Sequence, residues 1–106
     1  MGSVAMDKFG NIAAGFSVSD GTSVFPGIRY TGRKPTDPLG TMTVAEKTII
    51  DGAGAQLTTN NRWGDYTDLT IDPKDDCTFW YVNEYYSANS QQTWQTRAAK
   101  FRLKRC

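Results

Sequence analysis

The side chains that could do chemistry are concentrated between residues 61 and 86. This stretch holds two of the three tryptophans, four of the five tyrosines and six of the eleven acidic residues. Three of its carboxylates, Asp65, Asp68 and Glu84, could supply the acid and the base or nucleophile that glycoside hydrolysis requires. The structural alternative is that Asp65 and Asp68 cap turns and strand ends, and that Glu84 pairs with an arginine.

Several other kinds of chemistry lack the residues they need. The sequence contains no histidine, which removes the commonest general base and the commonest zinc ligand. Its net charge of +1 gives no bulk attraction to nucleic acid or to an anionic membrane. It has no phosphate loop, dinucleotide fingerprint or nucleophile elbow, and no apolar stretch long enough to span a bilayer. We therefore predict no cofactor, no bound metal, no nucleic-acid partner and no membrane partner.

The acidic turn formed by Asp72, Asp75 and Asp76 offers oxygen atoms that could bind Ca²⁺. Its spacing does not match an EF-hand loop, and the three carboxylates are therefore predicted to form a solvated turn.

The two cysteines are predicted to form a disulfide bond. Cys77 opens one predicted strand and Cys106 ends a later one, so a hairpin of these strands would place both at its open end, within bonding reach. Closing the span between them would stabilise the fold by roughly 3.5 kcal/mol. The alternative is one buried thiol and one loose terminal thiol.

Glycine, proline and small polar residues punctuate short runs along the chain, which favours an all-β class. In the fifth run, Leu69 and Ile71 alternate with polar residues, a pattern typical of a half-buried strand. Residues 43–49 fit a helix and an outer strand equally well. The tail alternates charged and apolar residues from Lys100 to Lys104, which predicts an edge strand protected by charge. The predicted strands span residues 3–7, 12–18, 24–32, 42–51, 67–72, 77–86 and 95–103.

The two halves of the chain resemble each other. Val4, Met6 and Asp7 in the first half correspond to Leu69, Ile71 and Asp72 in the second. A turn, a strand, a hairpin loop and an arginine-bearing strand then follow in each half. The spacing of about 65 residues indicates an internal repeat, with four strands in the first unit and three in the second.

Four-stranded units that recur at such spacing are typical of propeller blades. The run NRWGDYTDLTIDPKDDCTFWYVNEYY, preceded by TDPLGT, resembles the C-terminal blades of large bacterial sialidase-like β-propeller proteins of the Asp-box type. The resemblance implies that SVAMD and DLTID are innermost strands, with TFWYVNEYY and QTRAAKFRL next outward. It therefore implies an all-β propeller fragment. Residues 1–52 would form one four-stranded blade, and residues 53–106 an inter-blade loop and a second blade that lacks its outer strand.

Two blades do not close a ring, so a lone chain would expose blade faces and an unpaired strand edge. Three copies would supply about six blades, the usual number in sialidase-like rings. We therefore predict a cyclic homo-oligomer, a trimer, with a stable two-blade monomer as the alternative. The resemblance implies a secreted or extracytoplasmic parent protein and leaves the compartment of this chain open.

In this family, ligands bind at the channel mouth, which in this chain implies the segments 60–68, 17–23 and 87–93. The residues so nominated are Arg62, Trp63, Asp65, Tyr66 and Asp68. Trp63, beside Gly64 in a loop, is the predicted stacking surface for a sugar ring, whereas Trp80 lies in a strand and is predicted to belong to the core.

Sialidases use a tyrosine nucleophile helped by a glutamate, and arginines that bind the substrate carboxylate. The resemblance thus implies roles for Glu84 and Tyr85, with Arg29 and Arg97 as substrate ligands. The structural alternative is that the two arginines brace the blades through pairs with Asp7 or Asp72.

Three functions remain open at this point. The chain could be a glycosidase acting on an acidic sugar, with Asp65, Asp68 and Glu84 as acid, base or nucleophile. It could be a non-catalytic binding or structural module cut from a larger secreted propeller protein. It could also hydrolyse unrelated substrates in a new polar cavity that forms between copies.

Overall fold

The predicted all-β class is confirmed by a computed structural model that describes residues 2–57, 62–91 and 93–106. Within these residues the chain forms seven strands and no helix. The strands are β1 (Gly2–Met6), β2 (Ile12–Val18), β3 (Gly27–Arg33), β4 (Val44–Ile50), β5 (Asp68–Ile71), β6 (Phe79–Tyr85) and β7 (Gln95–Phe101). The first four form one antiparallel sheet in chain order, and the last three form a second.

The strand ends follow from local hydrogen bonding. β3 begins directly after Pro26, which has no N–H to donate to a ladder. β6 begins two residues later than predicted because the Asp75 carboxylate accepts the N–H groups of Cys77 and Thr78. The segment that fitted both helix and strand is strand β4. The tail is predicted to continue the last strand to residue 103, and this is wrong because β7 ends at Phe101.

The internal repeat extends to the hydrogen bonds of the first turn in each unit. The N–H of Asp7 donates to the carbonyl of Asn11 at 2.9 Å, and that of Asp72 donates to the carbonyl of Thr78 at 2.8 Å. Each carboxylate also accepts the N–H two residues further on, at Phe9 and at Lys74. Asn11 and Thr78 therefore occupy equivalent positions in the two units.

The two sheets pack face to face. β1 lies beside β5, where the N–H of Leu69 donates to Ser3 Oγ at 3.0 Å, and β2 and β3 pack on β6. The core between the sheets consists of Ala13, Ile28, Leu69, Phe79, Tyr81 and Leu103. Aromatic stacking extends it, because Phe101 stacks on Tyr30 with ring centroids 3.8 Å apart and on Phe79 at 5.3 Å.

The closest approach between the sheets occurs at Gly15 in β2. A Cβ atom there would lie 2.5 Å from the ring of Tyr81, which is 1% exposed. Any side chain larger than hydrogen would therefore displace the Tyr81 ring. The small residues of β2 thus form a flat surface on which the aromatic residues of β6 lie.

Each sheet also exposes some apolar side chains, among polar ones, on the face that points away from the other sheet. Val4 and Met6 on β1 are 64% and 59% exposed, and Trp80 and Val82 on β6 are 39% and 38% exposed. The prediction that Trp80 belongs to the core is therefore wrong. Its neighbours in the strand, Phe79 and Tyr81, face the first sheet, so the period-two alternation of β6 turns Trp80 outward.

The predicted disulfide between Cys77 and Cys106 is confirmed. It joins residues 29 positions apart whose Cα atoms are 5.5 Å apart. The bond ties the end of the chain to the turn before β6, at the opposite end of the strands from the β6–β7 connection.

Gly15→Ala should lower the free energy of unfolding by about 1–3 kcal/mol, because the added methyl group overpacks the contact with Tyr81. Chemical denaturation monitored by tryptophan fluorescence would measure the change. Gly21→Ala is the matched control, since a Cβ atom there meets nothing within 4 Å. Equal stability of the two variants would contradict the proposed packing.

Candidate functional site

Three connecting segments gather at one end of the strands. The segment between β2 and β3, the one between β4 and β5, and the one between β6 and β7 are joined by backbone hydrogen bonds. The N–H of Ala53 donates to the carbonyl of Tyr86 at 2.8 Å, and the N–H of Tyr86 donates to the carbonyl of Pro26 at 3.1 Å. These are the segments that the family resemblance nominated as the channel mouth. Residues 58–61 and Gln92, which fall within or beside those segments, lie outside the described residues.

The glycine-rich sequence before Gln56 permits this close approach. A Cβ atom at Gly54 would lie 2.0 Å from the carbonyl carbon of Ala88, so no other residue fits there without moving the backbone. The carbonyl of Ala55 accepts the N–H of Ser90, and the side chain of Asn89 accepts the N–H of Ala55. The β4–β5 and β6–β7 connections are therefore tied together through main-chain contacts.

Beside this junction lies a cleft of about 470 Å³. One wall is the β2–β3 loop, residues 19–26, and the other carries Ala55, Gln56 and Trp63. Gln56 positions the second wall, because its side-chain amide donates to the carbonyl of Arg62 at 2.6 Å. The Trp63 ring meets the buried ring of Tyr86 edge-on, with centroids 6.4 Å apart. The cleft thus combines the aromatic surfaces of Trp63 and Phe25 with short polar side chains.

The β2–β3 loop is held in place by one carboxylate. Asp20 Oδ1 accepts the N–H groups of Thr22, Ser23 and Val24 at 2.8–2.9 Å. These bonds stabilise the charged form and lower the pKa of Asp20 from 3.8 to about 2. The Asp20 carboxylate therefore holds the backbone of this loop, and with it the loop's hydroxyl groups, in a defined arrangement beside the cleft.

The three predicted catalytic carboxylates are placed in different environments. Asp65 forms an ion pair with Arg62, whose Nη2 lies 2.5 Å from Asp65 Oδ2. Glu84 is 6% exposed, and its Oε2 accepts the N–H of Gly64 at 2.7 Å rather than pairing with an arginine. Asp68 is exposed at the start of β5. None of the three lines the cleft.

The structure brings Arg62, Trp63, Asp65 and Glu84 together around Gly64 and leaves the other nominated residues apart. Tyr66 is 84% exposed, and Tyr85 is half-buried at the end of β6. Among the described residues, neither lines the cleft.

The two strand arginines do not pair with the aspartates predicted for them. Arg29 on β3 lies 3.6 Å from Glu46 on β4, and Arg97 on β7 is exposed. Asp7 and Asp72 instead cap their own turns, since each accepts backbone N–H groups from the residues that follow it. The bracing expected from Asp7 or Asp72 is therefore wrong.

A buried polar chain beneath the site was missed by sequence reasoning. The Asn83 amide donates to Ser17 Oγ at 3.0 Å and to the Tyr81 hydroxyl at 2.9 Å, and its oxygen accepts the N–H of Glu84 at 2.7 Å. Burial raises the pKa of Tyr81, so its hydroxyl stays protonated near neutral pH. The only sequence signal is polar Asn83 at a core-facing position of an otherwise aromatic strand.

The acidic turn before β6 serves a structural purpose. Besides the N–H groups of Cys77 and Thr78, Asp75 accepts the Thr78 hydroxyl and the guanidinium of Arg102, whose Nη2 lies 2.8 Å away. These hydrogen bonds hold the pKa of Asp75 well below its usual range. In the described part of the chain, no group of three or more acidic or cysteine residues is arranged to hold a metal ion.

Comparisons with protein-family models, with curated proteins and with solved structures return no match. The described segments contain no helix of the length and apolarity needed to cross a membrane.

Asp20→Asn keeps an acceptor oxygen but removes the titrating charge. Because the pKa of Asp20 in the folded chain is about 2, below that of an unfolded aspartate, the stability it contributes is present above about pH 4 and is lost as the pH falls towards 2. The difference in unfolding free energy between wild type and Asp20→Asn should therefore shrink over that window, as measured by denaturation at several pH values. A difference that does not change with pH would show that the loop does not depend on the charged carboxylate.

Proposed function

We propose that this chain is a non-catalytic carbohydrate-binding module. The observation that carries the proposal is the cleft between residues 19–26 and the segment bearing Gln56 and Trp63. Its volume falls within the range of about 300–1,000 Å³ that is usual for small-ligand sites. Aromatic rings offer an apolar surface to the C–H face of a sugar, while the hydroxyl groups of Ser19, Thr22 and Ser23 can bond its hydroxyls.

Binding is favoured over hydrolysis by the state of the carboxylates. A glycosidase needs two carboxyl groups that flank the scissile bond at a defined separation. Asp65 is already paired with Arg62, and Glu84 is buried and bonded to the backbone of Gly64. Glycoside hydrolysis by Asp65, Asp68 and Glu84 is therefore the second candidate, with the same sugar class as substrate.

We further propose that the two sheets are blades of a sialidase-like propeller. Each sheet is an antiparallel meander whose strands are paired in chain order, and the first strands, β1 and β5, lie side by side. This is the arrangement expected of adjacent blades, whose innermost strands line a common axis. The disulfide supports an oxidising, extracytoplasmic location for such a module.

The repeat supports self-association as well. Val4 and Met6 are equivalent to Leu69 and Ile71, which face the first sheet and are buried or partly buried there. The outward face of the first sheet is thus equivalent to the inward face of the second. A second copy can repeat the contact seen within one chain by laying its outward Trp80 face on the Val4 and Met6 face. A head-to-tail contact forms a ring when the rotation between copies closes, and we propose that three copies close it here.

Trp63→Ala should weaken glycan binding about tenfold, because it removes the stacking surface, worth about 1.5 kcal/mol. Calorimetric titration of neutral and sialylated oligosaccharides would measure the loss. Trp94→Ala is the matched control, since Trp94 is 43% exposed and does not line the cleft. Equal losses in both variants would contradict the site.

Hydrolysis of a chromogenic glycoside that is abolished by Asp65→Asn would favour the catalytic alternative.

Light scattering on a sizing column under non-reducing conditions should give three times the chain mass. Met6→Glu should dissociate the assembly, because it places a charge in the contact between apolar faces. Leu39→Glu introduces the same charge at a residue that is 92% exposed in a loop and should leave the mass unchanged. A monomeric wild-type chain would rule out the ring.

A further inference from the structure

A second cavity lies on the outer strands, near the end of the fold opposite the cleft. It encloses about 330 Å³ between β3, β4 and the tail that follows β7. Its lining consists of Tyr30, Lys34, Thr43, Val44, Lys47, Arg102, Leu103 and Lys104. Four of these eight residues are cationic and none is acidic. We call this cavity the basic groove.

The fold assembles the basic groove from distant parts of the sequence. Lys47 is placed by the register of β4, where it pairs with Tyr30 on β3. The tail is anchored by Leu103, which is 6% exposed and whose methyl groups occupy the space that a Cβ atom at Gly32 would take. Arg102 and Lys104, on either side of this anchor, are thereby brought to the groove.

The cations of the groove are only partly neutralised. Lys34 lies 3.9 Å from Asp37, and Arg102 is held by Asp75 and Thr78. Lys47 and Lys104 form no ion pair with any described residue. Arg102 is thus fixed in orientation by its partners, while the two lysines keep their full charge for a ligand.

The remaining lining residues suit an ester rather than a bare ion. Val44 and Leu103 supply apolar surface beside the charges. Tyr30 also lines the groove, and its phenolic hydroxyl is a hydrogen-bond donor at neutral pH. A ligand with a tetrahedral anionic head and a small carbon skeleton would contact both kinds of surface.

We propose that the basic groove binds a sulfate or phosphate monoester of a small sugar or similar polyol. The ammonium groups of Lys47 and Lys104, which form no ion pair with any described residue, act as point charges for such oxyanions. A nucleic acid fits less well, because the net charge of the chain is only +1 and the four cations surround one short groove. The basic groove is separate from the aromatic cleft, so this proposal does not depend on the proposed function.

The test titrates the full-length chain with glucose 6-sulfate, glucose 6-phosphate, inorganic phosphate and glucose, at low salt, by NMR chemical-shift mapping. The double variant Lys47→Gln/Lys104→Gln should weaken binding of the esters about three- to tenfold, as expected for two partly exposed charge pairs. Lys74→Gln removes the same kind of charge from the exposed turn before β6 and should leave the affinity unchanged. Added salt should weaken binding to the wild type, because exposed charges are screened.

Each outcome decides the proposal. Ester binding that is weakened in the double variant but kept in Lys74→Gln supports it. Inorganic phosphate that binds as tightly as the esters would overturn the ester assignment, because the apolar lining would then contribute nothing to binding. Equal weakening by Lys74→Gln, shifts confined to residues outside the groove, or tighter binding of a short DNA duplex than of any ester would overturn it.

Discussion

The contact on which the rest of the structure depends is the packing of Tyr81 on Gly15. Because the glycine leaves no side chain between them, the aromatic face of β6 approaches the backbone of β2, and Phe79 and Tyr81 are almost completely removed from water. Burying an aromatic side chain of this size stabilises a fold by about 1.5–3 kcal/mol. The same approach aligns the ends of the strands, and this alignment brings the loops of the two sheets within hydrogen-bonding distance of each other.

At the loop end, contacts with the backbone determine where the walls of the cleft lie. Gly54 lets the β4–β5 connection pass against Ala88, and Gln56 then fixes the segment that carries Trp63. In the same region, the carboxylates that would serve hydrolysis are engaged with partners of their own. Asp65 neutralises Arg62, and Glu84 accepts a backbone N–H. The engaged carboxylates are the reason that binding is proposed here in preference to cleavage.

Much of the local structure could be predicted from sequence, whereas its long-range partners could not. The bounds of β2 follow from the turns on either side of a run of small residues, and the disulfide follows from the position of Cys77 and Cys106 in a hairpin. Trp63 was nominated for the site, but Phe25 was not, because its contribution depends on a wall brought from another sheet. Trp80 is predicted to belong to the core because it lies in a strand, and only the position of the neighbouring sheet decides which face of β6 is buried.

The exposed apolar side chains can be explained in two ways. They are either ordinary surface residues or part of a face that another copy of the chain covers. Single exposed apolar side chains are common and need no explanation. Val4 and Met6, however, lie on one face of one strand, and the repeat makes them equivalent to Leu69 and Ile71, which lie against the first sheet. A repeating unit that is packed on both sides needs apolar side chains on both faces, and each of these sheets carries some on its outward face. A chain with two such units leaves one face of each unit uncovered. In the proposed ring, neighbouring copies cover these two faces, and the contact they make repeats the one between the two sheets of a single chain.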